Sequence, residues 1–510
     1  MASKRPNFLV IVADDLGFSD ISPYGGEINT PVLKKLSKDG IRMTNFHTAS
    51  ACSPTRSMLF SGTDNHIAGL GQMMEHMRHF GDYFKDKPGY EGYLNWRVAA
   101  LSEILQDNGY HTIMSGKCRG FTKSFSFLPG SGNHHAYEPQ LDDAEFKIPC
   151  LNTEGHWMDG DKFINHRTDL PKDFYSTRYF TDRMIKFLEE RNEKEKDEPF
   201  FAYLPFTAPH WPLQAPREVV EKYAGKYDDG PDALTQHRLQ RLVELGLVDK
   251  GIEHAPPTGV LGKDWKDLSD LERKESARKM EVFAAMVELI DENIGRVIDH
   301  LESTGELDNT FVLFMSDNGA EGAALEAIPM MGGETTFAGV IQKYYDNSLD
   351  NIGEKSSFSW YAKEEAITHR FTTVMDILPT ILEMAQVQHP GTSFRGREVV
   401  IPRGKSWVSH LSSPDYCAAD STVHGEDVHV HGWELFGLRA IREGKWKAVW
   451  LNKPRGKDDW ELYDVEKDPA EMNDVSDKEP EVMRRLVNHW ERYYAETGMT
   501  QTPEFPITKA

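Results

Sequence analysis

The chain has 510 residues, 39% of them apolar, with 81 acidic against 58 basic side chains and a formal net charge of −23. That length supports two or three domains with a large core. The acid excess argues against a general nucleic-acid binder and repels anionic ligands at long range, so any anion site must be made locally by a few cations. The four cysteines, Cys52, Cys118, Cys150 and Cys417, show no zinc spacing and are too few for a disulfide scaffold.

The first residues lead straight into an apolar run. No secretory signal is recognised there, and no stretch is apolar and long enough to span a membrane, so the expected location is cytoplasmic. Residues 8–12 (FLVIV) read as a strand buried on both faces, ending in Ala13-Asp14-Asp15. Next comes Ala51-Cys52-Ser53-Pro54-Thr55-Arg56-Ser57, then an apolar stretch to Ser61-Gly62. A helix starting near Pro54 puts Cys52 at its N-terminus and Arg56 in its first turn. N–H groups there attract anions, and a first-turn proline gives up no hydrogen bond. The segment suits an oxyanion held against a nucleophile; the competing reading is an inert cysteine capping a buried helix.

Residues 110–115 (YHTIMS) form a further predicted strand and end in Gly116-Lys117. Residues 200–204 (FFAYL) lead to Pro209-His210-Trp211-Pro212, and residues 311–315 (FVLFM) to Ser316-Asp317-Asn318-Gly319. Parallel sheets bind ligands beyond the carboxyl ends of their strands. Asp14, Asp15, Asp317 and Asn318 would converge there as three carboxylates and one amide oxygen, a hard-cation set suited to calcium or magnesium. Two ordinary acidic turns are the competing reading. Lys117 and His210, each weak alone, are placed to bond an anionic ester.

Strands and helices alternate over most of the length, giving α/β with a mostly parallel sheet. Residues 216–306 read as charged and helical, and 280–290 as part of a long helix packed on the sheet. Residues 82–93 and 324–359 read as long pocket-shaping loops. Residues 431–441, 446–451 and 460–465 alternate like half-exposed antiparallel strands, and 480–497 reads as a closing helix. The expected division is a catalytic α/β domain, 1–424, and a small α+β subdomain, 425–510. His424, His429 and His431 have strand or loop spacing and are read as a loop rather than a second metal site.

Cys-x-Pro-x-Arg, a small residue and an apolar run closing on Ser-Gly together resemble the signature of the sulfatase family. The early Asp-Asp, Ser-Asp-Asn-Gly, Gly-Lys and Pro-His-x-Pro agree, and residues 7–20 (NFLVIVADDLGFSD) are similar to bacterial-type arylsulfatases almost residue for residue. The resemblance covers nearly the whole chain. It implies an alkaline-phosphatase-like fold and hydrolysis of small-molecule sulfate monoesters. It implies that Cys52 becomes formylglycine through a formylglycine-generating enzyme. It also implies a calcium ion held by Asp14, Asp15, Asp317, Asn318 and the modified Cys52. Arg56 would fix the formylglycine hydrate, while Lys117 and His210 contact the sulfate group. Neither nucleic acid nor membrane is an expected partner. A phosphate or phosphonate ester hydrolase on the same architecture is one alternative, and a non-catalytic relative is another.

The pattern breaks twice. After Gly-Lys such enzymes have an aromatic residue, a histidine and a loop that rejoins at Arg-Gly-Phe; here Cys118 is followed at once by Arg119-Gly120-Phe121. After Trp360-Tyr361 they continue through a basic segment with a catalytic lysine, a Gly-Gly turn and an apolar strand, whereas this chain passes to residues 367–376 (ITHRFTTVMD). Lys363 lies near that junction, but its neighbours do not match and it takes no role. Loss of a core strand would leave an apolar edge unpaired. The gaps point to a misdefined coding sequence or a splice variant, with an inactivated relative as the alternative.

Overall fold

The computed structural model describes residues 4–117, 121–142, 156–252, 265–320, 337–360, 371–412, 422–425, 428–453 and 456–503. A seven-stranded sheet forms its centre: β1 (Asn7–Ala13), β2 (His111–Gly116), β3 (Lys123–Phe127), β4 (Trp157–Asp159), β5 (Lys162–Ile164), β6 (Phe200–Pro205) and β7 (Thr310–Ser316). The order is β5-β4-β3-β2-β6-β1-β7. Pairs from β3 to β7 are parallel, and β4 and β5 add an antiparallel end.

Period-two alternation divides this sheet's side chains between two cores. Leu9, Ile11 and Ala13 of β1 join one apolar cluster with Phe200, Ala202 and Leu204 of β6. Phe8, Val10 and Val12 join the opposite cluster with Phe201 and Tyr203. Helices cover both faces, as expected of α/β architecture. The first cluster takes α4 (Ser176–Glu189) and the 34-residue α5 (Asp270–Ser303). The second takes α2 (Cys52–Ser61), α3 (Leu101–Asp107) and α6 (Ile377–Met384). A reciprocal cap starts α5: Glu272 N donates to Ser269 Oγ (3.3 Å) and Ser269 N to Glu272 Oε2 (2.7 Å). α1 (Pro31–Asp39) begins on Asp291 of α5, whose carboxylate accepts from Val32 N and Leu33 N.

β7 departs from the expectation of a strand buried on both faces. Most of its residues are half-buried, whereas β1, β2 and β6 are buried throughout. Among the described residues it pairs only with β1, so one edge lacks a neighbouring strand. The second break lies partly at residues 361–370, outside the described residues, as do Lys363 and Cys118. The expected loop at 82–93 begins in a helical turn, Gly81–Phe84, and the one at 324–359 contains the helix Phe337–Tyr344.

The C-terminal part is an antiparallel meander, β8 (Val430–Leu435), β9 (Leu438–Glu443), β10 (Trp446–Trp450) and β11 (Trp460–Asp464), covered by α7 (Pro480–Thr497). Ile441, Ala448, Leu462, Leu486 and Trp490 form its core. Buried polar groups join it to the region after α2. His66 Nδ1 lies 2.9 Å from Asp64 Oδ1 and Nε2 lies 3.0 Å from Glu434 Oε2. Tyr493 Oη donates to Asp64 Oδ2 (2.7 Å) and Gln72 Nε2 to Glu434. Burial opposes charging His66, but the two carboxylates outweigh it and raise the pKa to about 9. His424, His429 and His431 do gather around Phe371, yet they form no metal-holding group among the described residues. No described helix is long and apolar enough to cross a membrane.

Candidate active site

Register brings four strand ends together. Val12 pairs with Pro205 and with Met315. Beyond the ladder Asp14 N donates to Ala208 O (3.0 Å), Asp317 N to Ala13 O (3.1 Å) and Lys117 N to Pro205 O (3.0 Å). Asp14, Asp15, Lys117, His210, Asp317 and Asn318 therefore share one edge of the sheet, as expected at carboxyl strand ends. Asp15 is in the left-handed region (φ 63°). Its N–H bonds Asp317 Oδ1 (3.2 Å), and Asn318 Nδ2 donates to its Oδ1 (2.6 Å).

The helix α2 supplies the rest. It starts at Cys52, preceded by extended Ala51, and ends at Gly62, whose N–H caps Met58 O (2.8 Å) at φ 64°. Arg56 is 7% exposed. Its Nε and Nη2 both donate to Asp317 Oδ2 (3.0 and 2.7 Å), and Nη1 donates to the Lys117 carbonyl (2.7 Å). Lys117 Nζ bonds Asp14 Oδ2 at 2.7 Å and stands 3.6 Å from Cys52 Sγ. The structure thus unites all eight predicted residues. The Arg56–Lys117 tie has no signal in spacing, because it runs to a main-chain oxygen.

Electrostatics follow from burial. Burial raises Asp14, but the Lys117 ammonium and Arg56 guanidinium outweigh it and hold the carboxyl at about 2. Asp317 goes the other way, to about 7, because burial and the Asp14 charge together exceed what Arg56 returns. Burial pushes the Cys52 thiol up to about 12, with Asp14 and Asp317 adding to the effect and Lys117 opposing it. Among the described residues the carboxyl groups of Asp14, Asp15 and Asp317 outnumber the two permanent cations, Arg56 and Lys117, so the edge suits a further positive charge. Among the described residues two groups can hold a metal, Asp14–Cys52–Asp317 and Asp14–Asp15–His210, their ligand atoms lying within 4.8 Å of one another. Asp14 Oδ1 and Asn318 Oδ1 are buried without hydrogen-bond partners, which fits oxygen ligands for a hard divalent cation.

His210 Nδ1 bonds Trp211 O (2.7 Å), and its Nε2 lies 3.4 Å from Asp15 Oδ2. Behind it is His134, which sequence reasoning missed: nothing in the run Asn133-His134-His135 marks one histidine over the other.

Comparison with known proteins agrees with this geometry. The Sulfatase family model matches residues 6–387. An uncharacterized sulfatase of Schizosaccharomyces pombe is 50% identical over 555 aligned positions, covering 98% of this chain and 96% of that protein. An arylsulfatase of Klebsiella aerogenes is 36% identical over 376 positions, 70% and 74% of the two chains. Among solved structures, Ps i-CgsB superposes with a TM-score of 0.61 at 20% identity, covering 99% of this chain and 95% of that one. The phosphonate monoester hydrolase of Agrobacterium radiobacter gives 0.56 at 17% identity, covering 97% and 96%. The fold is that of sulfatases and alkaline-phosphatase-like enzymes, and the chain belongs to the sulfatase family, hydrolases of sulfuric esters.

Proposed function

We propose that this chain hydrolyses small-molecule sulfate monoesters, aryl sulfates among them, using a calcium ion at the acidic edge and a formylglycine that a formylglycine-generating enzyme makes from Cys52. One observation carries the reading: Cys52 opens a buried helix with its Sγ 3.6 Å from Lys117 Nζ and within 4.8 Å of the Asp14 and Asp317 carboxylates. A protonated thiol is a poor nucleophile, and its sulfate adduct has no second hydroxyl to expel sulfate. Converted to formylglycine, position 52 would lie beside Lys117 and supply, as its hydrate, a hydroxyl nucleophile together with a second hydroxyl that the thiol lacks. Bound calcium supplies positive charge to the carboxylates and to the ester's oxygens.

The chain's own residues do the rest. Arg56, clamped by Asp317 and the Lys117 carbonyl, fixes the first turn of α2 against β2. Lys117, between Asp14 and position 52, places its ammonium against an oxyanion bonded there; such fixed charge is usually the largest catalytic contribution. His210 directs Nε2 toward the same edge, where in its protonated form it can give a proton to the leaving oxygen.

The test is calcium-dependent hydrolysis of 4-nitrocatechol sulfate by protein made with a formylglycine-generating enzyme, beside Cys52→Ala. Turnover abolished by EGTA and by the substitution supports the reading. No turnover by folded, calcium-loaded protein with formylglycine verified by mass would indicate a non-catalytic relative. Faster cleavage of a phosphonate monoester than of the sulfate would favour the other hydrolase chemistry.

A further inference from the structure

His134 is 1% exposed and sits directly behind the His210 loop. Its Nε2 lies 3.1 Å from the His210 carbonyl oxygen. A carbonyl only accepts, so Nε2 carries the proton. Nδ1 then accepts from Ser176 Oγ at 2.9 Å, with Thr207 Oγ1 at 3.3 Å. The main chain of His134 is pinned as well: its N–H donates to Gln214 Oε1 (2.9 Å), and its carbonyl accepts from Ser176 N (2.8 Å) at the start of α4. Gln214 is anchored in turn through Nε2 to Ser357 O (2.6 Å). Burial, with the neighbouring His135 and His210, holds His134 down at about 4, so the ring keeps the neutral form that this bonding pattern needs.

We propose that His134 is the positioning residue of the site: by donating Nε2–H to the His210 carbonyl it fixes where the His210 imidazole stands relative to the carboxylate edge. The inference rests on the sulfate-ester reading for its catalytic consequence, but not for its geometry. The His210 ring bonds Trp211 O within its own loop and lies beside Asp15. The chain lacks the histidine expected after Lys117, so the placement of His210 weighs more heavily here.

The experiment uses the calcium-loaded full chain carrying formylglycine, with His134→Leu and His134→Gln. The glutamine can both donate to the carbonyl and accept from Ser176. His134→Leu should lower kcat about tenfold or more with KM within about threefold, since a displacement near 1 Å can cost up to ~100-fold; His134→Gln should recover most of it. In protein with ¹³C-labelled histidine, the His210 ring signal, identified through His210→Ala, should shift or broaden in the leucine variant and stay native in the glutamine variant. Should His134→Leu fail to fold, Ser176→Ala, which releases the tautomer, is expected to move both readouts the same way by less. An unchanged His210 signal, or a glutamine variant no better than the leucine one, overturns the proposal. Absence of turnover in the parent protein would sink the sulfate-ester reading alone, because the His210 signal still decides the positioning.

Discussion

Lys117 and Asp14 form a buried pair at 2.7 Å. Removing one partner of such a pair leaves an uncompensated charge and costs roughly 3–5 kcal/mol. Lys117→Met should therefore lose stability of about that size in urea denaturation with EGTA present. In excess calcium the ion compensates Asp14 and the loss should shrink; equal losses in both conditions would mean that no cation binds there. His66 sets a pH limit. Its folded pKa, about 9, exceeds the 6.5 of an ordinary histidine, so its stabilisation is complete below pH 6.5 and is lost as pH climbs through 9. The shift corresponds to about 3 kcal/mol. Thermal melting from pH 6 to 10 should fall across that window in the parent and stay flatter in His66→Gln. The eight motif residues were legible in the sequence because each sits at a strand end or a helix start. His66 was not, since its partner Glu434 is 368 positions away and only tertiary packing pairs them.

Among the elements, α2 depends on its ending. Gly62 is left-handed, and a Cβ there would lie 3.0 Å from Pro402 Cβ and 3.2 Å from Leu378 Cβ. Gly62→Ala should cost about 1–2 kcal/mol from backbone conformation, and more if Pro402 cannot yield; a urea midpoint unchanged from the parent would contradict this. The continuous apolar runs announced β1, β2, β6 and β7 correctly as strands, and the C-terminal alternation announced the meander, except that 431–441, read as one run, turns back at Phe436-Gly437, both left-handed, to give β8 and β9. Burial was misjudged only for β7. Its composition is that of a central strand, but whether a strand is central depends on a neighbour, which the run itself does not specify.

At the scale of the molecule, the net charge of −23 should oppose the approach of an anionic ester. kcat/KM for an aryl sulfate should accordingly rise as ionic strength goes from low to physiological, because the long-range field is screened while the buried cations are not. A fall would place local attraction above the global field. The alignment with the fission-yeast relative spans 555 positions against 510 residues here, so that protein carries segments this chain lacks. Restoring such segments should raise the melting temperature and slow amide exchange over residues 310–316; unchanged exchange would show that they do not cover β7. That β7 has no second partner strand among the described residues also has a consequence for the life of the polypeptide in a cell. A strand edge without a partner strand is a surface that holdase chaperones bind and that proteases reach on partial opening. This chain should be a persistent client of quality control, with a shorter half-life than its longer relative even where their catalytic residues agree.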